Sequence, residues 1–324
     1  MGVWHLSGLG KSPGAVTAPL TSIFLILKMA VKGNSEAQDF FSSSGEHAQS
    51  KRERGYPEGL ILFTSSEVIE GQTSGRFVDK WFNTGKTGEK IPKVIYKYFT
   101  ELIKELKDED FDLQGTGFKY AYLVKVDHTD FNDCFNNIYL TIKALKDKEI
   151  WINMTGGTNQ INSALLVASG FSGSSARNYY FFQSNIELMH PDLESKPNFK
   201  NPNIKVPPKG WFDIPPLFIS IDDILKNLKE LFDKRGEKVN KSEVENILGN
   251  QIDIVKLVGA RLIDFVDNDT IRKRKELDNW FEIFSKPEKL NLNNFSEWKK
   301  YFSEKGDLWE LVDGEAVPVS QDST

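Results

Sequence analysis

Apolar residues recur along this chain in two rhythms. Short, nearly unbroken apolar runs stand at 3–6, 59–63, 119–126, 150–154 and 178–183. Such runs predict strands buried on both faces. Between them the apolar residues fall at three- and four-residue spacing. Examples are Ile91, Val94, Ile95, Tyr98, Phe99, Leu102, Ile103 and Leu106, then Phe131, Cys134, Phe135, Ile138, Ile142 and Leu145, then Ile161, Ala164, Leu165 and Ala168. That period predicts helices over 91–106, 130–146 and 159–170, and the apolar stretch 15–31 reads as a buried first helix. Strands alternating with helices predict an α/β fold with a doubly wound, mostly parallel sheet.

The rhythm changes after about residue 190. Pro191, Pro197, Pro202, Pro207 and Pro208 punctuate a stretch poor in apolar residues, which predicts a linker over 193–212. Beyond it, 217–221 reads as a strand, and 222–234, 240–248, 252–266, 271–284 and 293–303 read as helices. Asp313-Gly314 between two alternating runs predicts a tight hairpin over 308–319. Short helices followed by a hairpin predict a mainly helical, winged-helix-like domain over 213–320, after a first domain over 1–192. Two stretches fit neither rhythm. Residues 33–57 read as a surface insertion with a short helix, and 75–82 as a short helical piece. Residues 186–189 are expected to pair with the strand before them.

The chain has 324 residues, 39% hydrophobic and 27% charged, with a formal net charge of −5. A general attraction to nucleic acid or anionic membrane is excluded, so any anion site must be local. The one cysteine, Cys134, excludes an intramolecular disulfide and a cysteine-rich metal site, and fits the cytoplasm. Cys134 lies in an apolar stripe and reads as core. Residues 15–31 lack the basic leader and cleavage site of a signal peptide, and Lys28 interrupts them. No membrane partner is expected.

Candidate chemistry gathers at two turns. Ile150, Trp151, Ile152, Asn153 and Met154 run into Thr155, Gly156, Gly157 and Thr158, after which Asn159 opens a helix. The first strand likewise runs into Ser7, Gly8, Leu9, Gly10, Lys11, Ser12, Pro13 and Gly14, with Ser12 expected as the N-cap. Glycines admit a close ligand, and helix starts offer free N–H groups and a positive dipole end, so both turns are candidate phosphate sites. Gly156 is expected to leave room for the phosphate. Neither turn has the spacing of a Walker loop or a dinucleotide fingerprint. Thr64, Ser65 and Ser66 end the second strand with hydroxyls, and Ser65 is a candidate ligand contact. His128, after the third strand, is a weak acid–base candidate, and His5, inside the first strand, reads as structural.

The stretch from Leu9 to Thr17 and the stretch from Asn153 to Thr158 together resemble the two signature loops of CARF domains. These CRISPR-associated Rossmann-fold domains bind cyclic oligoadenylates made by type III CRISPR complexes. The resemblance covers roughly the first two-thirds of the chain. It implies a homodimer that binds cyclic oligoadenylate, cyclic tetra-adenylate in the leading reading, through Gly8, Gly10, Ser12, Thr155, Gly156, Gly157, Thr158, Asn159 and Ser65. Some members are ring nucleases, in which a ribose 2′-OH attacks the adjacent phosphate without metal or cofactor. Ser12 matches the first-loop serine of such enzymes, and Lys11 is the candidate cation. The family's helper lysine directly follows the second loop, where this chain has Asn159. The R-x4-H pattern of HEPN ribonucleases is absent, since no arginine stands five residues before a histidine. Residues 213–324 carry 17 basic and 23 acidic residues, which disfavours DNA as a partner. The alternatives are a non-enzymatic transcription regulator gated by the ring, and a nucleotide-binding Rossmann protein of another kind.

Overall fold

The computed structural model describes residues 2–42, 55–71, 81–82, 88–184, 189–193, 196–215, 222–249 and 254–320. The first unit runs β1 (Val3–Gly8), α1 (Gly14–Val31), α2 (Ser35–Ser42), β2 (Pro57–Thr64), α3 (Ser66–Glu70), α4 (Ile91–Leu106), β3 (Tyr120–Lys125), α5 (Phe131–Ala144), β4 (Glu149–Asn153), α6 (Asn159–Ser172), β5 (Ser175–Phe181) and β6 (Trp211–Ile214). Then come α7 (Asp222–Arg235), β7 (Lys238–Asn240), α8 (Lys241–Leu248), α9 (Ile254–Gly259), β8 (Ile263–Phe265), β9 (Thr270–Lys273) and α10 (Lys275–Lys289). The chain ends in α11 (Phe295–Glu304), β10 (Leu308–Val312) and β11 (Glu315–Pro318).

Eight strands form one sheet in the order β11-β10-β3-β2-β1-β4-β5-β6. From β3 to β5 every pairing is parallel, while β6, β10 and β11 join antiparallel at the flanks. The fold is therefore α/β, with a Rossmann-like sheet and a mainly helical, winged-helix-like part. Alternate residues of β1 serve opposite faces. Trp4 and Leu6 join Ile61, Phe63, Ile152 and the inner faces of α5 and α6. Val3 joins Leu60, Leu62, Leu123, Trp151 and the inner faces of α1 and α4. Helix α1 is long and apolar enough to cross a membrane, yet it is almost wholly buried within the fold. Lys28 in α1 is buried too. Its ammonium donates to the Leu106 carbonyl and pairs with Asp108 at 2.8 Å.

Several expectations are corrected. Residues 252–266 and 271–284 do not form two long helices. Strands β8 and β9 occupy part of each, antiparallel to one another, with β7 on the other side of β9. Ile263 and Ile271 are fully buried by this pairing, which a helical reading of the same apolar spacing could not anticipate. The order α7-β7-α8-α9-β8-β9 gives the winged-helix-like unit its hairpin from β8 and β9. The expected hairpin at Asp313-Gly314 exists, with positive φ at both residues, but β10 pairs with β3 and extends the large sheet. Helix α11 also returns to that sheet. Phe295 sits 4.7 Å from Trp4 and 5.1 Å from Tyr120 between ring centroids, and the Trp298 indole donates to Thr141 Oγ1 at 2.9 Å. The end of the expected linker forms part of β6. Helix α2 and its buried Phe40 and Phe41 lie within the expected insertion. Residues 43–54, most of 75–82, 186–188 and 217–221 lie outside the described residues.

Candidate functional site

Strand order locates the crevice. From β1 the chain winds outward through β2 to β3, then crosses back to β4 on the other side of β1. In open α/β sheets the ligand crevice lies outside the strand C-termini at such a reversal. Both glycine turns sit there, because β1 and β4 are neighbours with Ser7 opposite Asn153. Helix α1 leaves the first turn toward one face of the sheet and α6 leaves the second toward the other. Two positive helix ends thus adjoin the same gap.

The turns touch backbone to backbone. A Cβ on Gly8 would lie 2.6 Å from the Gly156 carbonyl oxygen and 2.8 Å from Gly157 Cα. A Cβ on Gly156 would lie 2.3 Å from the Gly8 carbonyl oxygen. Gly157 has φ near +91°, the left-handed region that glycine enters without strain. These three glycines are therefore needed for one turn to lie on the other. This corrects the expectation that Gly156 leaves room for a phosphate. Gly10 differs, since the nearest atom to an added Cβ is Gly157 Cα at 3.9 Å. The open side of the junction is at Gly10.

Asn153 locks this junction, and its role was missed from sequence. Fully buried, it donates from Nδ2 to Ser7 Oγ at 3.1 Å and to the Ala15 carbonyl at 3.0 Å. Its Oδ1 accepts from the Thr155 amide at 2.9 Å. One side chain thereby joins β1, α1, β4 and the second turn. A polar residue closing an apolar strand was the available signal. Thr64 does related work on the other side, donating to the Leu9 carbonyl at 2.7 Å.

The remaining candidates divide by what occupies their polar atoms. Thr155 Oγ1 accepts from the Phe181 amide at 2.9 Å, so it fastens β5 to the turn. Thr158 is the N-cap of α6 and accepts from Ile161 N. Asn159 opens α6 and is exposed. Ser12 is not the N-cap of α1, as expected, because the helical geometry already begins at Pro13 and the cap position falls there. Its partly exposed hydroxyl and the exposed Lys11 ammonium make no hydrogen bond or ion pair among the described residues. Both are open to a ligand. Ser65 follows Thr64 at the C-terminal end of β2. Its hydroxyl hydrogen bonds to Glu67 and holds that carboxyl below the usual range. It lines a cleft of about 490 Å³ at the C-terminal ends of β2 and β3, with Glu67, Lys125, Asp127, His128 and Asp133.

The other singled-out residues are structural. His5 is buried with neither ring nitrogen bonded, and burial pushes its pKa down to about 3. Cys134 donates to the Asp127 carbonyl at 3.3 Å. Burial, with the nearby Asp133, Asp127 and Asp130 carboxylates, pushes its thiol up to about 12, where no thiolate nucleophile is available. Among the described residues no group of three or more His, Cys, Asp or Glu side chains could hold a metal ion.

No model of a known protein family matches the chain. An uncharacterized protein of Archaeoglobus fulgidus is 38% identical over 312 residues, covering 92% of this chain and 95% of that protein. Among solved structures, Enterococcus italicus Csm6 bound to cyclic hexa-2′-fluoro-hexa-dAMP aligns at 12% identity and a TM-score of 0.34. That alignment covers 87% of this chain and 54% of Csm6. Protein VC1899 from Vibrio cholerae aligns at 8% identity and a TM-score of 0.30, covering 87% of this chain and 66% of that one. The chain thus spans under two thirds of the length of either.

Proposed function

This chain belongs to one family with the uncharacterized Archaeoglobus fulgidus protein, and we propose that it is a CARF-type protein that binds cyclic oligoadenylate. One observation carries the reading: two glycine turns with CARF-like sequences lie against each other at the sheet's reversal point, each followed by a long helix. Phosphates bind where free N–H groups and helix dipole ends converge. Gly10, Ser12 and Lys11 from the first turn, with Thr158 and Asn159 from the second, form the binding rim. Gly8, Gly156, Gly157 and Thr155 build its floor through backbone packing and the bond to β5. The protein acts as a homodimer, because a ring with two-fold symmetry suits a pocket shared by two copies, and the cytoplasm is the compartment that its single cysteine fits.

The finer reading is a metal-independent ring nuclease for cyclic tetra-adenylate. The ribose 2′-OH attacks the adjacent phosphorus, the P–O5′ bond breaks, and a 2′,3′-cyclic phosphate and a 5′-OH result. Ser12 and the turn amides hold the phosphate in line, and Lys11 offsets charge developing on its oxygens. The neutral Asn159 supplies less stabilisation than a lysine there, so turnover is slow. The test is incubation of the protein with cyclic tetra- and hexa-adenylate in chelator, with products resolved chromatographically. Linear products ending in 2′,3′-cyclic phosphate support cleavage. Tight binding without products leaves a sensor, and absence of binding removes the whole reading.

A further inference from the structure

Three aromatic side chains on and just past the strands beside the second turn are exposed: Tyr180 (40%), Phe182 (58%) and Phe212 (56%). Large exposed apolar side chains are unremarkable singly but informative as a group. Tyr180 and Phe212 face each other directly across the antiparallel β5–β6 pair, which brings their Cβ atoms to about 5 Å. Their neighbours in sequence behave in the opposite way. Tyr179, Phe181 and Trp211 point into the core, where Tyr179 and Trp211 stack with centroids 4.2 Å apart. The strand alternation therefore aims Tyr180 and Phe212 at the other face, the one on which Asn178 bonds Ser169 of α6. Phe182 continues past the strand end, held by the hydrogen bond that its backbone N–H donates to the Gly210 carbonyl at 2.7 Å. None of the three rings stacks on another ring among the described residues.

Their place relative to the turn is set by hydrogen bonds. Thr155 Oγ1 accepts from the amide of Phe181, the residue between Tyr180 and Phe182, and the Met154 amide donates to the Tyr179 carbonyl at 2.8 Å. Hydrogen bonds thus tie the strand that carries Tyr180 and leads into Phe182 to the glycine turn. Polar backbone donors beside exposed aromatic faces match a ligand with alternating phosphates and bases. Stacking on aromatics is how single-stranded nucleotides are held without base-edge readout.

We infer that Tyr180, Phe182 and Phe212 form a stacking platform for bases of a nucleotide ligand whose phosphates rest on the adjoining turns. This rests on the proposed nucleotide-binding reading and adds residues that the turn sequences do not contain. The experiment is calorimetric titration of cyclic tetra-adenylate into the full chain and into Tyr180→Ala, Phe182→Ala, Phe212→Ala, Phe182→Leu and Phe182→Trp, with sedimentation velocity on each. Loss of a stacking ring is expected to weaken binding about 5- to 100-fold. The leucine variant, apolar but not flat, should weaken like alanine, and the tryptophan variant should bind like wild type. Sedimentation should be the same for all. Wild-type affinity in all three alanine variants overturns the platform and leaves the turn site standing. Loss of a dimer alongside lost binding assigns the rings to a contact between copies and also overturns it. No binding by wild type overturns the proposed function, and the platform with it.

Discussion

At the scale of single residues, glycines alike in sequence do different jobs. Gly156→Val drives a side chain into the Gly8 carbonyl, whereas a Cβ at Gly10 meets Gly157 only at an ordinary contact distance of 3.9 Å. Gly156→Val is therefore expected to lower the melting temperature sharply or abolish soluble expression. Gly10→Val should keep the wild-type melting temperature and lose affinity for cyclic tetra-adenylate. Thermal denaturation with calorimetry separates the two, and a well-folded Gly156→Val with weakened binding would reverse the roles. Ser12→Ala should slow cleavage about 10²–10³-fold, as for a lost oxyanion donor, with a much smaller loss of affinity because backbone donors remain. Asn159→Lys should raise the single-turnover rate. If neither wild type nor Asn159→Lys cleaves the ring, the protein is a sensor.

His5 makes a residue-scale prediction about pH. Its folded pKa of about 3 lies below the ordinary value of 6.5, because burial penalises the cation. Between those values the unfolded chain binds the extra proton, so stability rises with pH and falls as the medium is acidified from 6.5 toward 3. The loss amounts to about 2 kcal/mol near pH 5. His5→Leu should flatten the acid side of a denaturant-midpoint profile, and an unchanged slope between pH 6.5 and 4 would show that His5 is not the group responsible.

At the scale of elements, α11 and the β10–β11 hairpin belong energetically to the large sheet although they follow the winged-helix-like unit in sequence. Trp298 is fully buried against Tyr122 and bonds Thr141 of α5. Trp298→Ala is expected to cost about 3–5 kcal/mol of stability, read as a shift in denaturant midpoint. A loss below 1 kcal/mol would mean that α11 packs loosely. The winged-helix-like unit itself offers little to DNA. Arg272 and Arg274 pair with Asp264 at 3.2 and 2.9 Å, and Lys273 pairs with Asp278 at 2.9 Å, so most of its one basic run is already neutralised. Mobility-shift assays at low salt, with and without cyclic oligoadenylate, should show no specific DNA complex. A ligand-dependent, sequence-specific shift would promote the regulator reading.

At the scale of the whole molecule, the site opens along the strand C-termini, where two chains must meet if one ring is to touch both pairs of turns. Calorimetry should then give one ring per two chains, and sedimentation should give a dimer. One ring per chain in a stable monomer would favour a nucleotide-binding protein of another kind.

What local sequence determined was every element whose apolar spacing had one reading. The five core strands, α4, α5 and α6, and the Asp313-Gly314 turn are of this kind, because burial on two faces, burial on one stripe and a positive-φ turn each demand a distinct pattern. Both turns were legible for the same reason. Tertiary structure alone decided the rest. Ile263 and Ile271 fit a helix or a strand equally well until β7, β8 and β9 pair. The hairpin carries no mark of which sheet receives it. The tasks of Gly8, Gly156 and Asn153 exist only when β1 and β4 lie side by side. Such contacts join residues more than a hundred positions apart, and no local pattern records which partner a backbone oxygen will meet.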